Sequence, residues 1–163
     1  MKTMQTGTNN TGLVYWAVIC FLLLLPGPGG VWANNCPQLR TTQKAPEKIL
    51  DKVSPLRNEP RHLKKGKVLA LVKAKPLACK QCHGMLGDGE GAMGAQLNPK
   101  PRNFTCLETM KGISDGQLFW VIKNGSPGTS MPPYKHLSDE KVWQLIQYIR
   151  SLTGDDSMEG VKK

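Results

Sequence analysis

Two cysteines three residues apart, with a histidine directly after the second, stand in the middle of this chain as Cys79-Lys80-Gln81-Cys82-His83. Two intervening residues let one turn of chain span the two vinyl positions of a haem. The adjacent histidine is then held under the metal, so the five residues read as a covalent haem c attachment site. Three other uses of such a pair compete with this one. A thioredoxin-like redox pair wants a βαβ context, which the flanking sequence lacks. A zinc site wants further ligands at short spacing, and Cys36, Cys106, His62 and His136 are all distant. A disulfide between cysteines three apart is strained.

An electron-carrying haem iron also needs a ligand from the opposite side of the ring. The candidates are Met85, Met93, Met110, Met131, Met158, His62 and His136. Met85 follows His83 too closely to cross to the other face, and Met158 sits in a polar tail. Met131 is best placed, 48 residues after His83 and inside Gly125-Ser126-Pro127-Gly128-Thr129-Ser130-Met131-Pro132-Pro133-Tyr134. The two prolines fix the backbone and remove two amide donors, so this segment can lie flat on an apolar ring without stranding hydrogen bonds. The competing use of Met131 is as a core-filling methionine.

The elements that must position these residues begin after an export-type leader. Lys2 is followed by a run of thirteen uncharged residues from Leu13 to Leu25, then by Pro26-Gly27-Pro28-Gly29-Gly30 and Val31-Trp32-Ala33. Thirteen residues fall short of the roughly 20 needed to span a bilayer. A signal peptide over 1–33 and a periplasmic mature chain are therefore expected. That mature chain keeps 21 basic and 12 acidic side chains, a formal charge of +9. Such a charge suits nucleic acid, an anionic membrane surface or an acidic protein partner. Export and the absence of basic-aromatic interleaving argue against nucleic acid, and membrane contact would come only through a partner or an uncleaved signal. In an oxidising compartment Cys36 and Cys106, the thiols outside the haem motif, are free to form a disulfide.

Residues 34–60 carry four prolines and scattered apolar positions, which predicts an irregular extension with one helical turn near 47–53. The domain proper is expected over 61–153, with a polar tail at 154–163. In its first helix Leu63, Gly66, Leu69, Ala70 and Val72 would share a face, and Pro76 would end the segment. The glycine- and proline-rich stretch 84–113 predicts a long ordered loop wrapped on a ligand. Its Gly87-Asp88-Gly89-Glu90-Gly91 run follows no strand and has too few carboxylates for calcium, so it reads as turns. Ser114 and Gln117 form a capping box for a helix at 115–123. Ser138, Asp139 and Glu140 open a last helix with Val142, Leu145, Ile146, Ile149 and Leu152 at helical spacing.

The Cys79–His83 motif with Gly84, the segment Gly128–Tyr134 and the helix Val142–Arg150 resemble the class I monohaem c-type cytochromes over about 61–153. The resemblance implies an all-α cytochrome c fold around one covalently attached haem, with Cys79, Cys82 and His83 holding it and His83 and Met131 as iron ligands. It implies a close crossing of first and last helices, here Gly66 against Leu145 and Tyr148, although Ala70 stands where the family often has an aromatic. It also implies that the carbonyl of Pro99 or Pro101 accepts the His83 ring proton and that Arg102 lies near a haem propionate. The function that follows is one-electron transfer rather than catalysis, with acidic redox partners such as an oxidase or dehydrogenase. The alternatives are a haem subunit permanently docked to a membrane oxidase or dehydrogenase complex, with 34–60 as its docking arm, or a haem enzyme or gas sensor with an open distal site. Lys64, Lys65, Lys67, Lys73, Lys75 and Lys80 cluster beside the motif, as either a solvated face or a docking face.

Overall fold

A computed structural model describes residues 36–38 and 42–154, so the expected signal peptide, Met158 and almost all of the tail lie outside the described residues. Those described form helices and loops, with no strand among them, the all-α architecture of a cytochrome c fold. In chain order the helices are α1 (Glu47–Leu50), α2 (Pro60–Val68), α3 (Lys80–His83), α4 (Leu107–Lys111), α5 (Asp115–Asn124) and α6 (Asp139–Ser151).

α6 starts where the Ser138 hydroxyl accepts from the Lys141 amide, with Asp139 and Glu140 complementing the helix dipole in its first turn. Val142, Leu145, Ile146 and Ile149 are buried as their spacing predicts. Trp143, Gln144, Gln147 and Tyr148 are buried too, so the helix is enclosed on nearly every side. α2 covers one face, and Phe119 of α5 sits 4.7 Å from the Trp143 ring on another. The backbone at Leu56 and Arg57 takes the Gln147 amide.

α2 begins at Pro60, where a missing N–H costs nothing. A Cβ on Gly66 would run into the Gln144 carbonyl oxygen and come within 3.1 Å of the Tyr148 Cβ. Gly66 therefore lets the two helices touch backbone to backbone. Tyr148 was expected at this crossing, but its other partner is Gln144, because Leu145 turns toward the cavity described below. Beyond Val68 the helix widens into a π turn over Leu69–Lys73, closed by the Ala74 amide on the Leu69 carbonyl at 2.9 Å. The extra residue per turn shifts the helical phase. Leu69 and Ala70 stay buried, while Val72 is 66% exposed and does not share the packed face as its spacing had suggested.

The segment 42–58 contains the predicted helical turn, as α1, and packs along α5 instead of projecting. The Ala45 amide donates to Gln117 Oε1 at 2.8 Å and Gln117 Nε2 donates to the Gln43 carbonyl at 2.9 Å. This explains why the capping box is only half made: Ser114 accepts from the Gln117 amide, but the Gln117 side chain serves the strap rather than the cap. Gly116 meets the carbonyls of Ile49 and Leu50 directly. Further upstream Cys36 is disulfide-bonded to Cys106, with 5.5 Å between their Cα atoms.

Candidate functional site

Cys79, Cys82 and His83 sit on one short turn, with the His83 amide bonded to the Cys79 carbonyl at 2.8 Å. Both cysteines are unbridged and half-buried. Burial pushes the Cys79 thiol up to about 11, opposed by a backbone hydrogen bond and reinforced by Cys82, and burial raises Cys82 as well. α3 is too short to satisfy its own carbonyls, and the glycine-rich loop does this for it. Gly89 donates to the His83 carbonyl at 2.9 Å, Gly91 to Cys82 at 3.1 Å and Met93 to Gln81 at 2.8 Å. A Cβ on Gly91 would lie 2.5 Å from the Gln81 oxygen, which accounts for a glycine there. The Gly87–Gly91 run is thus a set of turns closing on α3, with Glu90 paired to Lys100.

His83 Nδ1 lies 2.9 Å from the Arg102 carbonyl oxygen. A carbonyl only accepts, so Nδ1 carries the proton and Nε2 the lone pair, the tautomer a metal ligand needs. The accepting carbonyl is that of Arg102, not of Pro99 or Pro101 as the resemblance implied. Its side chain is buried, donating to the Gln38 carbonyl at 3.3 Å and to Thr42 Oγ1 at 3.2 Å. Phe104 stacks on the His83 ring, centroids 4.4 Å apart.

Met131 arrives on the turn after α5. Gly125 has φ 75° and packs against the Met131 carbonyl and Pro132, an approach and a conformation that favour glycine. Ser126 and Thr129 bond the turn to itself: the Ser126 amide reaches the Met131 carbonyl at 3.2 Å and the Met131 amide reaches Thr129 Oγ1 at 3.2 Å. Tyr134 ties the segment to the cysteine side, its hydroxyl donating to the Leu77 carbonyl at 2.7 Å.

These pieces meet around one apolar cavity. Cys79, Cys82, His83 and Met131 all line it, together with Ala70, Leu145, Tyr148, Ile149 and Pro99. A second cavity of about 500 Å³ shares His83, Phe104, Ile122, Met131 and Ile149, and reaches Thr42, Lys44 and Arg102 under the strap. Ala70, unusual by resemblance, is small where the wall must leave room. Among the lining residues Met131 is the methionine and His83 the histidine. The other candidates lie elsewhere: Met85 and Met93 are exposed, Met110 is in the core, His136 is exposed, and His62 is buried at the α2–α6 crossing beside Gln144. Among the described residues, the one cluster of metal-type ligands is Cys36, Cys106 and Glu108, and its sulfurs are joined as the disulfide.

Residues 63–149 match the family described as cytochrome c oxidase, cbb3-type, subunit III, over more than half of the chain. The chain belongs to this family. It is a c-type cytochrome domain, and such domains bind haem c and serve electron transfer. A solved structure, a chain of the Kuenenia stuttgartiensis reducing HAO-like protein complex Kustc0457/Kustc0458, is similar to it at 32% identity with a TM-score of 0.52. The similarity covers 61% of this cytochrome and 47% of that chain, so this protein spans about half the length of its structural relative. Among the described residues, no helix of the cytochrome is long and apolar enough to cross a membrane.

Sequence reasoning missed α4, hidden in the presumed loop 84–113, and the contributions of Gln38, Thr42, Lys44 and Phe104 to the site. It also missed Arg150, whose guanidinium joins Asp115 at 2.8 Å and the Met110 carbonyl at 2.8 Å, pinning α6 to α5 and α4. Only Phe104 had a usable signal, as an apolar residue in a stretch already expected to wrap a ligand.

Proposed function

We propose that this protein is an exported one-electron carrier with a single haem c attached to Cys79 and Cys82, the iron held by His83 and Met131. The observation that carries the reading is that these four residues, 52 positions apart from first to last, line one apolar cavity in which His83 is already in the metal-binding tautomer. The donor set fits the group: two thiols for thioether links, an imidazole with an available Nε2 lone pair, and a thioether sulfur. Bound there, haem c supplies an iron that cycles between ferric and ferrous. The chain's own part is to hold and tune. The Arg102 carbonyl fixes the His83 ring and raises its basicity. Apolar walls from Ala70, Leu145 and Ile149 exclude water and favour the less charged state. Buried Arg102, with Lys44, places positive charge in the cavity where carboxylates of the cofactor would be received.

The leader over 1–33 would deliver the chain to the periplasm, the domain would occupy 61–153, and 34–60 would be its N-terminal extension. Lys64, Lys65, Lys67, Lys73 and Lys75 are exposed, and Lys80 lies on the cavity rim. This basic face would meet acidic redox partners. Optical and magnetic spectra of the purified holoprotein test the reading: a low-spin iron with histidine and sulfur axial ligands is expected. Met131→Ala should then open the iron to cyanide or carbon monoxide while the haem stays attached. A native iron that binds carbon monoxide readily would contradict Met131 ligation and favour a sensor or enzyme.

A second reading, a haem subunit resident in a larger redox assembly, is favoured by the matched family's description and by the similar chain's membership in a complex. The strap 42–58 is engaged with its own domain and leaves the basic face open for such docking.

A further inference from the structure

Gln38 lies two residues after Cys36 and makes more polar contacts with the site than its place in an irregular extension suggests. Its Nε2 donates to the Pro101 carbonyl at 3.0 Å, and its Oε1 accepts from the Asn103 amide at 2.8 Å. One carboxamide therefore grips the backbone on both sides of Arg102, as a neighbouring strand would. Its own amide donates to Thr109 Oγ1 at 2.9 Å, and its carbonyl accepts from Arg102 Nη1 at 3.3 Å. The residue so gripped is the one whose carbonyl takes the His83 ring proton. Pro101, Arg102 and Asn103 are all buried, so losing the grip would leave polar backbone groups without partners away from water. The Cys36–Cys106 disulfide closes this arrangement covalently three residues past Asn103.

We propose that Gln38 is a positioning residue for His83: it clamps the 101–103 backbone so that the Arg102 carbonyl holds the His83 ring proton, with the Cys36–Cys106 disulfide as the anchor of the clamp. The inference rests on the proposed haem ligation by His83. It gives the segment at Cys36–Gln38 a role in setting the electronic character of the iron ligand, since a more firmly held ring proton makes the imidazole a stronger donor and stabilises ferric iron. Loosening the clamp weakens that donation and favours ferrous iron.

The experiment uses the haem-loaded protein, whose covalent haem is first established by mass. Exchange of the His83 ring N–H with solvent, followed by NMR in the reduced state, should accelerate on the order of tenfold in Gln38→Ala, the loss expected for one hydrogen bond's support. The reduction potential should shift upward in the same variant. Gln38→Glu, which keeps the acceptor for Asn103 but loses the donor to Pro101, should exchange at an intermediate rate. Reducing the Cys36–Cys106 disulfide in the wild-type protein should accelerate exchange in the same way, and it supplies the test should Gln38→Ala fail to fold. Haem-loaded wild type and variants with the same exchange rate and potential would overturn the role of Gln38 while leaving the proposed function standing. Wild-type protein without covalent haem would overturn both.

Discussion

Replacing Gly66 with alanine tests whether the α2–α6 crossing frames the site. The new methyl would overlap the Gln144 carbonyl oxygen and sit 3.1 Å from the Tyr148 Cβ, tighter than ordinary carbon contacts. Neither neighbour can yield cheaply, because one is helix backbone and the other a Cβ fixed to it. The helices must part, and overpacking of this kind costs typically 1–3 kcal/mol. Parting also unpacks Leu69, Ala70 and Tyr148, while the gain in helix propensity returns only about 1 kcal/mol. A net loss of about 1–2 kcal/mol is expected, or a fall in Tm of roughly 5 °C for a domain this size. Thermal unfolding of the haem-loaded protein followed by circular dichroism measures it. Gly112→Ala is the control, since φ there is −80° and the nearest atom a Cβ would meet is 3.8 Å away. Gly66→Ala as stable as wild type would show that the two helices do not depend on this close approach.

Three other outcomes follow from the contacts described. Burial raises the Tyr134 phenol above its ordinary 10.0, so the fold holds that proton more tightly than the unfolded chain. Its contribution is complete below pH 10 and is lost as pH rises toward the folded value. Denaturant titrations should show Tyr134→Phe about 1 kcal/mol less stable at pH 7, where the Leu77 carbonyl loses its donor, with a flatter alkaline limb; an unchanged limb would contradict this. Arg150→Ala strands Asp115 and two carbonyls and should cost about 2–4 kcal/mol by urea unfolding, whereas a loss under 0.5 kcal/mol would count against the pin. The stopped-flow rate with an acidic redox partner should fall steeply as the Debye length shortens to about 8 Å at physiological salt, and Lys75→Glu with Lys80→Glu should lower the low-salt rate most. A rate flat in salt would favour a permanently docked interface.

The parts of this molecule legible in its sequence are those governed by local rules. Ser138 with its acidic first turn and the periodic Val142–Ile149 face announce α6, and Ser114 announces α5. The Cys79–His83 spacing announces its own turn because the chemistry is encoded in five consecutive residues. What stayed hidden depends on partners far along the chain. Gln144 and Gln147 look solvent-facing by periodicity, and they are buried because the strap and α2 cover the polar side of α6. Val72 was assigned to the packed face because a π turn leaves no sequence mark here. The proton acceptor for His83 could not be placed by counting prolines, since the loop's path sets which carbonyl arrives, and that path is fixed by Gln38 and a disulfide spanning 70 residues.

Everything proposed for this protein depends on Cys79 and Cys82 carrying one haem between them. Intact mass of the denatured protein, produced from the full-length sequence alongside a c-type haem attachment machinery and then acid-extracted, addresses it directly. The expected mass is that of the chain plus one haem, falling to the chain alone when Cys79 and Cys82 are both changed to serine. A wild-type mass equal to the polypeptide alone, or haem retained by the double variant, would contradict it.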